Sequence, residues 1–103
     1  IRNADVRQIQ HAFRKAMRFG IKGNWNKANG ELFKEALQKH IRSPDTKIVE
    51  GSYHKEPVTH HYNPNTKINV MQKKNGEFIS GWKLNKKQVY HMENGGKLGG
   101  SAK

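Results

Sequence analysis

Lys67-Ile68-Asn69-Val70-Met71-Gln72-Lys73-Lys74-Asn75-Gly76-Glu77-Phe78-Ile79-Ser80-Gly81-Trp82-Lys83-Leu84 is the stretch whose reading decides the fold. Asn-Gly is a favoured centre for a two-residue hairpin, because both positions of that turn need positive φ. On either side of Asn75-Gly76 the residues alternate with the period of two that belongs to a strand. Lys67 to Lys73 reads as one strand, with Ile68 and Val70 on one face and Asn69 and Met71 on the other. Glu77 to Leu84 reads as its partner, with Phe78, Ser80, Trp82 and Leu84 on one face and Ile79, Gly81 and Lys83 on the other.

Working outward, Asn63-Pro64-Asn65 marks a turn, which makes Pro57 to Tyr62 a further strand and Lys47 to Tyr53 another. Downstream, Asn85 is placed to cap a short helix that runs through Met92. Upstream of Thr46 the period changes to that of a helix. Val6, Ile9, Phe13 and Met17 recur at helical spacing over Asp5 to Arg18, with Ala16 beside them and Gly20 as the C-cap. After a loop over Ile21 to Ala28, Asn29 is the expected cap of a second helix that buries Leu32, Phe33, Ala36, Leu37 and Ile41. Ser43-Pro44-Asp45 ends it. Helices first and a meander afterwards predict an α+β domain: N-terminal helices on one face of an antiparallel sheet, the other face left to solvent or ligand. Residues 1–94 form the expected domain, and 95–103 read as a flexible Gly-rich tail.

Charge narrows the function. The 103 residues hold 20 Lys and Arg against 8 Asp and Glu, a formal net charge of +12. Such a field favours polyanions: nucleic acid or an acidic protein. No apolar run is long enough for a membrane span, so a membrane role is disfavoured. No cysteine is present, which removes thiolate metal sites and cysteine nucleophiles. The chain starts at Ile1 and not at Met, as expected for a piece of a longer protein.

Two chemistries fit a basic domain. A Mg²⁺-dependent nuclease needs clustered carboxylates, and the acidic residues here are scattered. His60 and His61 with Asn63 suggest a histidine-metal nuclease, but neighbouring strand residues point to opposite faces, so one histidine in and one out is the plainer expectation. No metal and no cofactor are therefore expected. The other chemistry is metal-free RNA cleavage, in which the 2′-hydroxyl attacks the adjacent phosphorus. The protein must then accept a proton, donate one and stabilise the phosphoryl charge. His11, Arg14 and Lys15 stand three and four residues apart on the first helix, within reach of one phosphate. The same residues also suit a solvated basic face that only holds phosphates, alongside Arg7 and Arg18. Ser80 and Trp82 share a strand face, where a hydroxyl can bond a phosphate oxygen and an indole can stack on an unpaired base. Trp25 is either a stacking platform or a packing plug. Tyr53, Tyr62 and Phe78 read as core.

The ordered set Gln10-His11-Ala12-Phe13-Arg14-Lys15-Ala16, Phe19-Gly20, Gly23-Asn24-Trp25-Asn26-Lys27, Ser43-Pro44-Asp45-Thr46, Gly51-Ser52-Tyr53, Val58-Thr59-His60-His61-Tyr62-Asn63-Pro64, Asn75-Gly76-Glu77-Phe78 and Ser80-Gly81-Trp82-Lys83-Leu84 resembles the colicin D-type ribonuclease domain, which also occurs at the C-terminus of contact-dependent growth inhibition toxins. The resemblance runs from about Gln10 to Gln88. It implies a barnase–EndoU–colicin–RelE-like fold with the active site on the open sheet face. It also implies a metal-independent endoribonuclease that cuts tRNA in the anticodon loop and leaves a 2′,3′-cyclic phosphate. The implied partners are tRNA, an acidic immunity protein and a helper protein in the target cell. The implied location is secretion or surface delivery by a bacterial producer, with action in the target cytoplasm. Ser80 and Trp82 match the family's Ser-Gly-Trp-Lys strand. The family's Lys-x-Lys-His run falls on Ala12-Phe13-Arg14-Lys15, so Lys15 stands at the histidine position, Arg14 replaces a lysine and Ala12 lacks a basic group. His11, one turn earlier, or His60 is then expected to move the proton, with Arg14 and Lys15 holding the phosphate and Arg7, Arg18, Trp25 and Lys83 binding RNA around it. The alternatives are a non-catalytic basic RNA- or DNA-binding module, or a histidine-metal nuclease.

Overall fold

The first helix changes pitch half-way. The computed structural model describes residues 5–98, except for the side chain of Arg18. In it, α1 (Val6–Ala12) runs directly into a 3₁₀ stretch (Phe13–Phe19). With three residues per turn, side chains at i and i+3 eclipse one another. Phe13, Ala16 and Phe19 thereby turn together towards the core. Met17, expected in the apolar stripe of a continuous α-helix, is 77% exposed. Gly20 closes the stretch in the left-handed region, at a φ of 84° that glycine adopts without strain.

α2 (Lys27–Arg42) begins earlier than expected. Its cap is Asn26, whose side chain accepts from the Asn29 N–H at 2.8 Å. Asn29, the expected cap, instead donates its amide to the carbonyls of Lys22 and Asn24 and ties the loop to the helix. The stripe at i, i+4 and i+8 goes inward: Phe33 and Leu37 are fully buried and Ile41 partly so. Leu32 flanks that stripe and stays half exposed, against expectation.

Four strands follow: β1 (Lys47–Tyr53), β2 (Glu56–Asn63), β3 (Ile68–Lys73) and β4 (Phe78–Lys83). After β4, Asn85 caps α3 (Lys86–Glu93) through a reciprocal bond with Gln88, as expected, and the described chain ends in β5 (Lys97–Leu98). The sheet order is β4-β3-β2-β1-β5. The α+β architecture agrees with the expectation, but the sheet is curled and mixed, because β5 runs parallel to β1. Gly95 to Leu98, expected in a flexible tail, therefore belong to the fold: Leu98 is buried, and the Gly96 and Leu98 carbonyls accept the Ser52 and His54 N–H groups, each at 2.9 Å. The rest of the expected tail, 99–103, lies outside the described residues.

A β-bulge alters which face β4 presents. Met71 pairs with Ser80, but Gln72 pairs with Phe78, so Ile79 is the extra residue. Phe78 consequently joins the helix-side core with Ile9, Ala12, Ala16, Phe33, Leu37 and Val70, away from the face of Ser80 and Trp82 that simple alternation assigned to it. The opposite face is not bare either. Met92 of α3 and Leu98 of β5 close a second cluster there with Val58, Tyr62, Met71 and Leu84. The face expected to be open is thus open only in part.

His60 and His61 correct the expectation of one histidine inside and one outside. They point to opposite faces, and both are buried. Nε2 of His60 lies 2.7 Å from the Gly96 carbonyl, which can only accept, so Nε2 carries the proton. Nδ1 must then accept from the Asn69 amide at 3.0 Å. Nε2 of His61 donates to Gln72 Oε1, and Nε2 of His40 lies 2.7 Å from the His61 carbonyl. Burial pushes all three imidazoles below the ordinary histidine pKa, against the opposing pull of their hydrogen bonds. The unfolded chain, with histidines near a pKa of about 6.5, binds protons that the folded chain refuses. Stability is then full above about pH 7.5 and falls as the pH drops through about 6.5. Thermal melts between pH 8 and 5 should show this decline, with a net uptake of protons on unfolding below about pH 6.5. A melting temperature flat across this range would show that these rings are not held neutral.

Candidate active site

Lys15, Trp82 and Tyr53 meet at the open part of the second face. Lys15 projects from the 3₁₀ stretch and sets its Nζ 4.5 Å from the centre of the Trp82 ring. Two bonds fix this geometry. Gln8 Nε2 donates to the Ile79 carbonyl at 2.6 Å and anchors α1 to the bulge of β4. Trp82 Nε1 donates to Gln88 Oε1 at 3.3 Å, the same oxygen that accepts from the Asn85 N–H at the cap of α3. The indole is therefore held from its edge by α3 and covered on its face by a cation. Tyr53 leans on it with ring centres 5.7 Å apart, brought there by the curl of the sheet, and the His54 ring follows at 4.0 Å from Tyr53.

Electrostatics at Lys15 run in two directions. Burial beside the indole, and then the neighbouring Arg14 charge, push the ammonium below the ordinary lysine range. The face of the indole attracts the cation. The result is a half-buried amine that gives up its proton more readily than a surface lysine. Ser80, two residues before Trp82 in β4, shares its sheet face and is half-buried.

The other expected site residues are dispersed. The change of pitch separates His11 from Lys15. His11 and the exposed Arg14 line a groove of about 390 Å³ with Met17, Asn24 and Trp25, while Lys15 faces Trp82. His60 is 0% exposed with both ring nitrogens engaged, so it straps β2 to the segment before β5 and does not meet a substrate in this fold. Trp25 packs edge-on against Phe13 at 5.3 Å and lies over Gly30, where a Cβ would approach the indole to 2.8 Å; this is the plug of the two expected roles. Arg7 and Lys83 are exposed, Lys83 on the helix-side sheet face opposite Trp82. The side chain of Arg18 lies outside the described residues. Among the described residues, no three His, Asp or Glu side chains converge as a metal site would need.

Gln8 and Gln88 escaped the sequence reading. Gln88 had a signal: a Gln three residues after a capping Asn is a capping-box pattern. Its second bond, to Trp82, depends on the path of the chain between β4 and α3. Gln8 carried no signal, because its partner is a carbonyl 71 residues away.

Residues 8–92 match the Colicin D family model, a span that contains Gln8, Lys15, Tyr53, Ser80, Trp82 and Gln88. The chain belongs to the colicin D family. Colicin-D of Escherichia coli is 37% identical over 83 residues, which cover 77% of this chain and 12% of that protein, so the chain spans only about an eighth of the length of this relative. Among solved structures, a ribonuclease from Escherichia coli in complex with its inhibitor protein superposes with a TM-score of 0.73 at 32% identity, over 82% of this chain and 95% of the other. The colicin D family domain here therefore has the fold of a ribonuclease toxin, with Lys15 and Trp82 at the rim of its partly open face.

Proposed function

We propose that this chain is the toxic endoribonuclease domain of a bacteriocin or contact-dependent inhibition protein, and that it cleaves tRNA in the anticodon loop without a metal ion. The observation that carries the reading is the Lys15 ammonium held over Trp82, on the sheet face that also presents Ser80. Cleavage by the RNA's own 2′-hydroxyl needs no protein nucleophile. It needs an acceptor for the 2′-hydroxyl proton, a cation at the phosphoryl oxygens, a proton donor for the leaving 5′-oxygen, and a surface that orients the nucleotides. Lys15 supplies the cation and the proton donor from one amine. Arg14, exposed beside it, neutralises an adjacent phosphate, and Ser80 bonds a phosphate oxygen. Trp82 orients a base or ribose against the cation. His11 and Arg7 steer the RNA backbone along α1, and Lys83 adds to the surrounding positive field.

The +12 charge suits a second polyanion. The inhibitor in the neighbouring structure supports a cognate immunity protein, and the +12 charge suits one that is acidic. The small share of colicin-D that the chain matches supports delivery to target cells as part of a longer protein.

The test is to incubate the domain with total bacterial tRNA in EDTA and resolve the products on a denaturing gel. Fragments of about half a tRNA, ending in cyclic phosphate, are expected. Cutting only after Mg²⁺ or Zn²⁺ is added would overturn the metal-free reading. Salt-dependent binding with no product under any condition would leave a nucleic-acid-binding module.

A further inference from the structure

An indole that orients a substrate has to keep its plane, and little in the side chain itself enforces that. The torsion that turns a tryptophan ring about its Cβ–Cγ bond is broad, with no single sharp minimum. Trp82 is only half-buried beside the second core cluster, so packing holds part of the ring and not the whole. The Lys15 ammonium, 4.5 Å from the ring centre, depends on that plane. The attraction fades once a cation leaves the ring face or passes about 6 Å from its centre. We propose that Gln88 is a positioning residue of this site: its side-chain oxygen fixes the plane of the Trp82 indole and, through it, the place of the Lys15 ammonium. The inference rests on the ribonuclease reading above.

Three observations carry it. First, Gln88 Oε1 has two lone pairs and two donors: the Asn85 N–H at 3.0 Å and Trp82 Nε1 at 3.3 Å. A capping box needs only the first of these. The cap of α3 is therefore complete without the indole, and the second bond serves Trp82. Second, the residue that carries the oxygen is itself held. The Asn85 side chain accepts from the Gln88 N–H at 2.8 Å and closes the box around it. Third, the support is fixed on both sides. Leu84, between β4 and α3, is buried and donates its N–H to the Lys67 carbonyl at 2.8 Å. Met92 buries the far end of α3 in the second core cluster. Trp82 and Gln88, six residues apart, are thus joined through a short segment with little slack.

The consequence for the reaction is geometric. The ring plane sets where the ammonium rests, and a displaced ammonium meets the phosphoryl oxygens and the leaving 5′-oxygen less well. A misplacement of about 1 Å costs up to about 10²-fold in rate. Gln88 itself is assigned no contact with RNA. Loss of its bond to Trp82 should therefore lower kcat and leave the phosphate contacts of Arg14, and with them RNA binding, in place.

The test compares the parent chain with Gln88→Met, Gln88→Glu and Asn85→Ala. Met keeps the length of the side chain but offers only a weak thioether acceptor, whereas Glu keeps oxygens for both donors. Asn85→Ala weakens the cap but retains the backbone N–H, so the bond from Trp82 to Gln88 survives. One readout is the NMR resonance of the Trp82 Nε1 proton, identified by its loss in Trp82→Phe. The other is single-turnover cleavage of total tRNA in EDTA, beside binding of a 2′-O-methyl oligoribonucleotide that cannot react. In Gln88→Met the resonance should move upfield and kcat fall about 10- to 10²-fold, with binding near that of the parent. Gln88→Glu should restore the resonance and most of kcat, while its added negative charge weakens RNA binding. Asn85→Ala should melt earlier and keep the parental kcat. A parental kcat or an unmoved resonance in Gln88→Met overturns the assignment. An equal loss of kcat in Asn85→Ala also overturns it, because the effect then belongs to the helix cap. A parent chain that cuts no RNA removes the ribonuclease reading; an active parent beside an equally active Gln88→Met removes Gln88 alone.

Discussion

Lys15→Ala is expected to lower tRNA cleavage by about 10²–10³-fold, the range for removing a preorganised charge from a phosphoryl or oxyanion site. The reason is positional. Many of the chain's 20 Lys and Arg lie in solvent, where water screens them, but Lys15 is half-buried against an indole and loses little freedom when a phosphate arrives. Arg14→Ala, at an exposed position one residue away, should cost about tenfold at low salt, a loss that shrinks as salt screens the exposed charge. Lys15→Arg separates the two roles assigned to the amine. It retains the positive charge, but a guanidinium does not release its proton near neutral pH. Its kcat should fall while tRNA binding stays close to that of the parent. Gel shifts on a 2′-O-methyl RNA beside single-turnover cleavage would read both quantities. Full activity in Lys15→Ala would remove the Lys15–Trp82 pair from the chemistry.

Gly51→Ala is expected to destabilise the domain by about 2–5 kcal/mol, the combined scale of overpacking and an unmade buried hydrogen bond. A Cβ on Gly51 would stand 2.0 Å from the Gly96 carbonyl oxygen, which is backbone and cannot rotate away. That oxygen accepts from both the Ser52 N–H and His60 Nε2. Moving it would unpair β5 from β1 and leave a buried imidazole N–H without a partner. Because domains of this size carry only about 5–15 kcal/mol of stability, such a loss is a large fraction of the whole. Gly76→Asn is the control: its φ of 92° is one that Asn tolerates, and a Cβ at this position would meet no atom within 4 Å. Urea melts should place that control within about 1 kcal/mol of the parent. If Gly51→Ala melts with the parent, the Gly96 segment is not docked as described.

The chain by itself determined its class and order of elements. Period-two alternation around Asn75-Gly76, helical spacing at Phe33, Leu37 and Ile41, and the Asn85 cap are signals written within a few residues of where they act. Local periodicity, turn chemistry and capping depend on neighbours in sequence, so they can be read there. Net charge and the pairing of Ser80 with Trp82 were legible for the same reason.

Only the tertiary structure decided the site. The shift to 3₁₀ pitch after Ala12 sends Lys15 to Trp82 and His11 elsewhere, and it follows from packing Phe13, Ala16 and Phe19 against Phe33 and Leu37. The bulge at Ile79 re-aims Phe78, because one added residue exchanges the faces of a strand. The return of β5 seals His60 beneath the Gly96 carbonyl and pins His54 at the rim, contacts that join residues 36 and 44 positions apart. Spacing along the chain says which side chains can share an element. Which side chains meet across elements depends on pitch, register and sheet curl, and each of these is set by the packing of the whole.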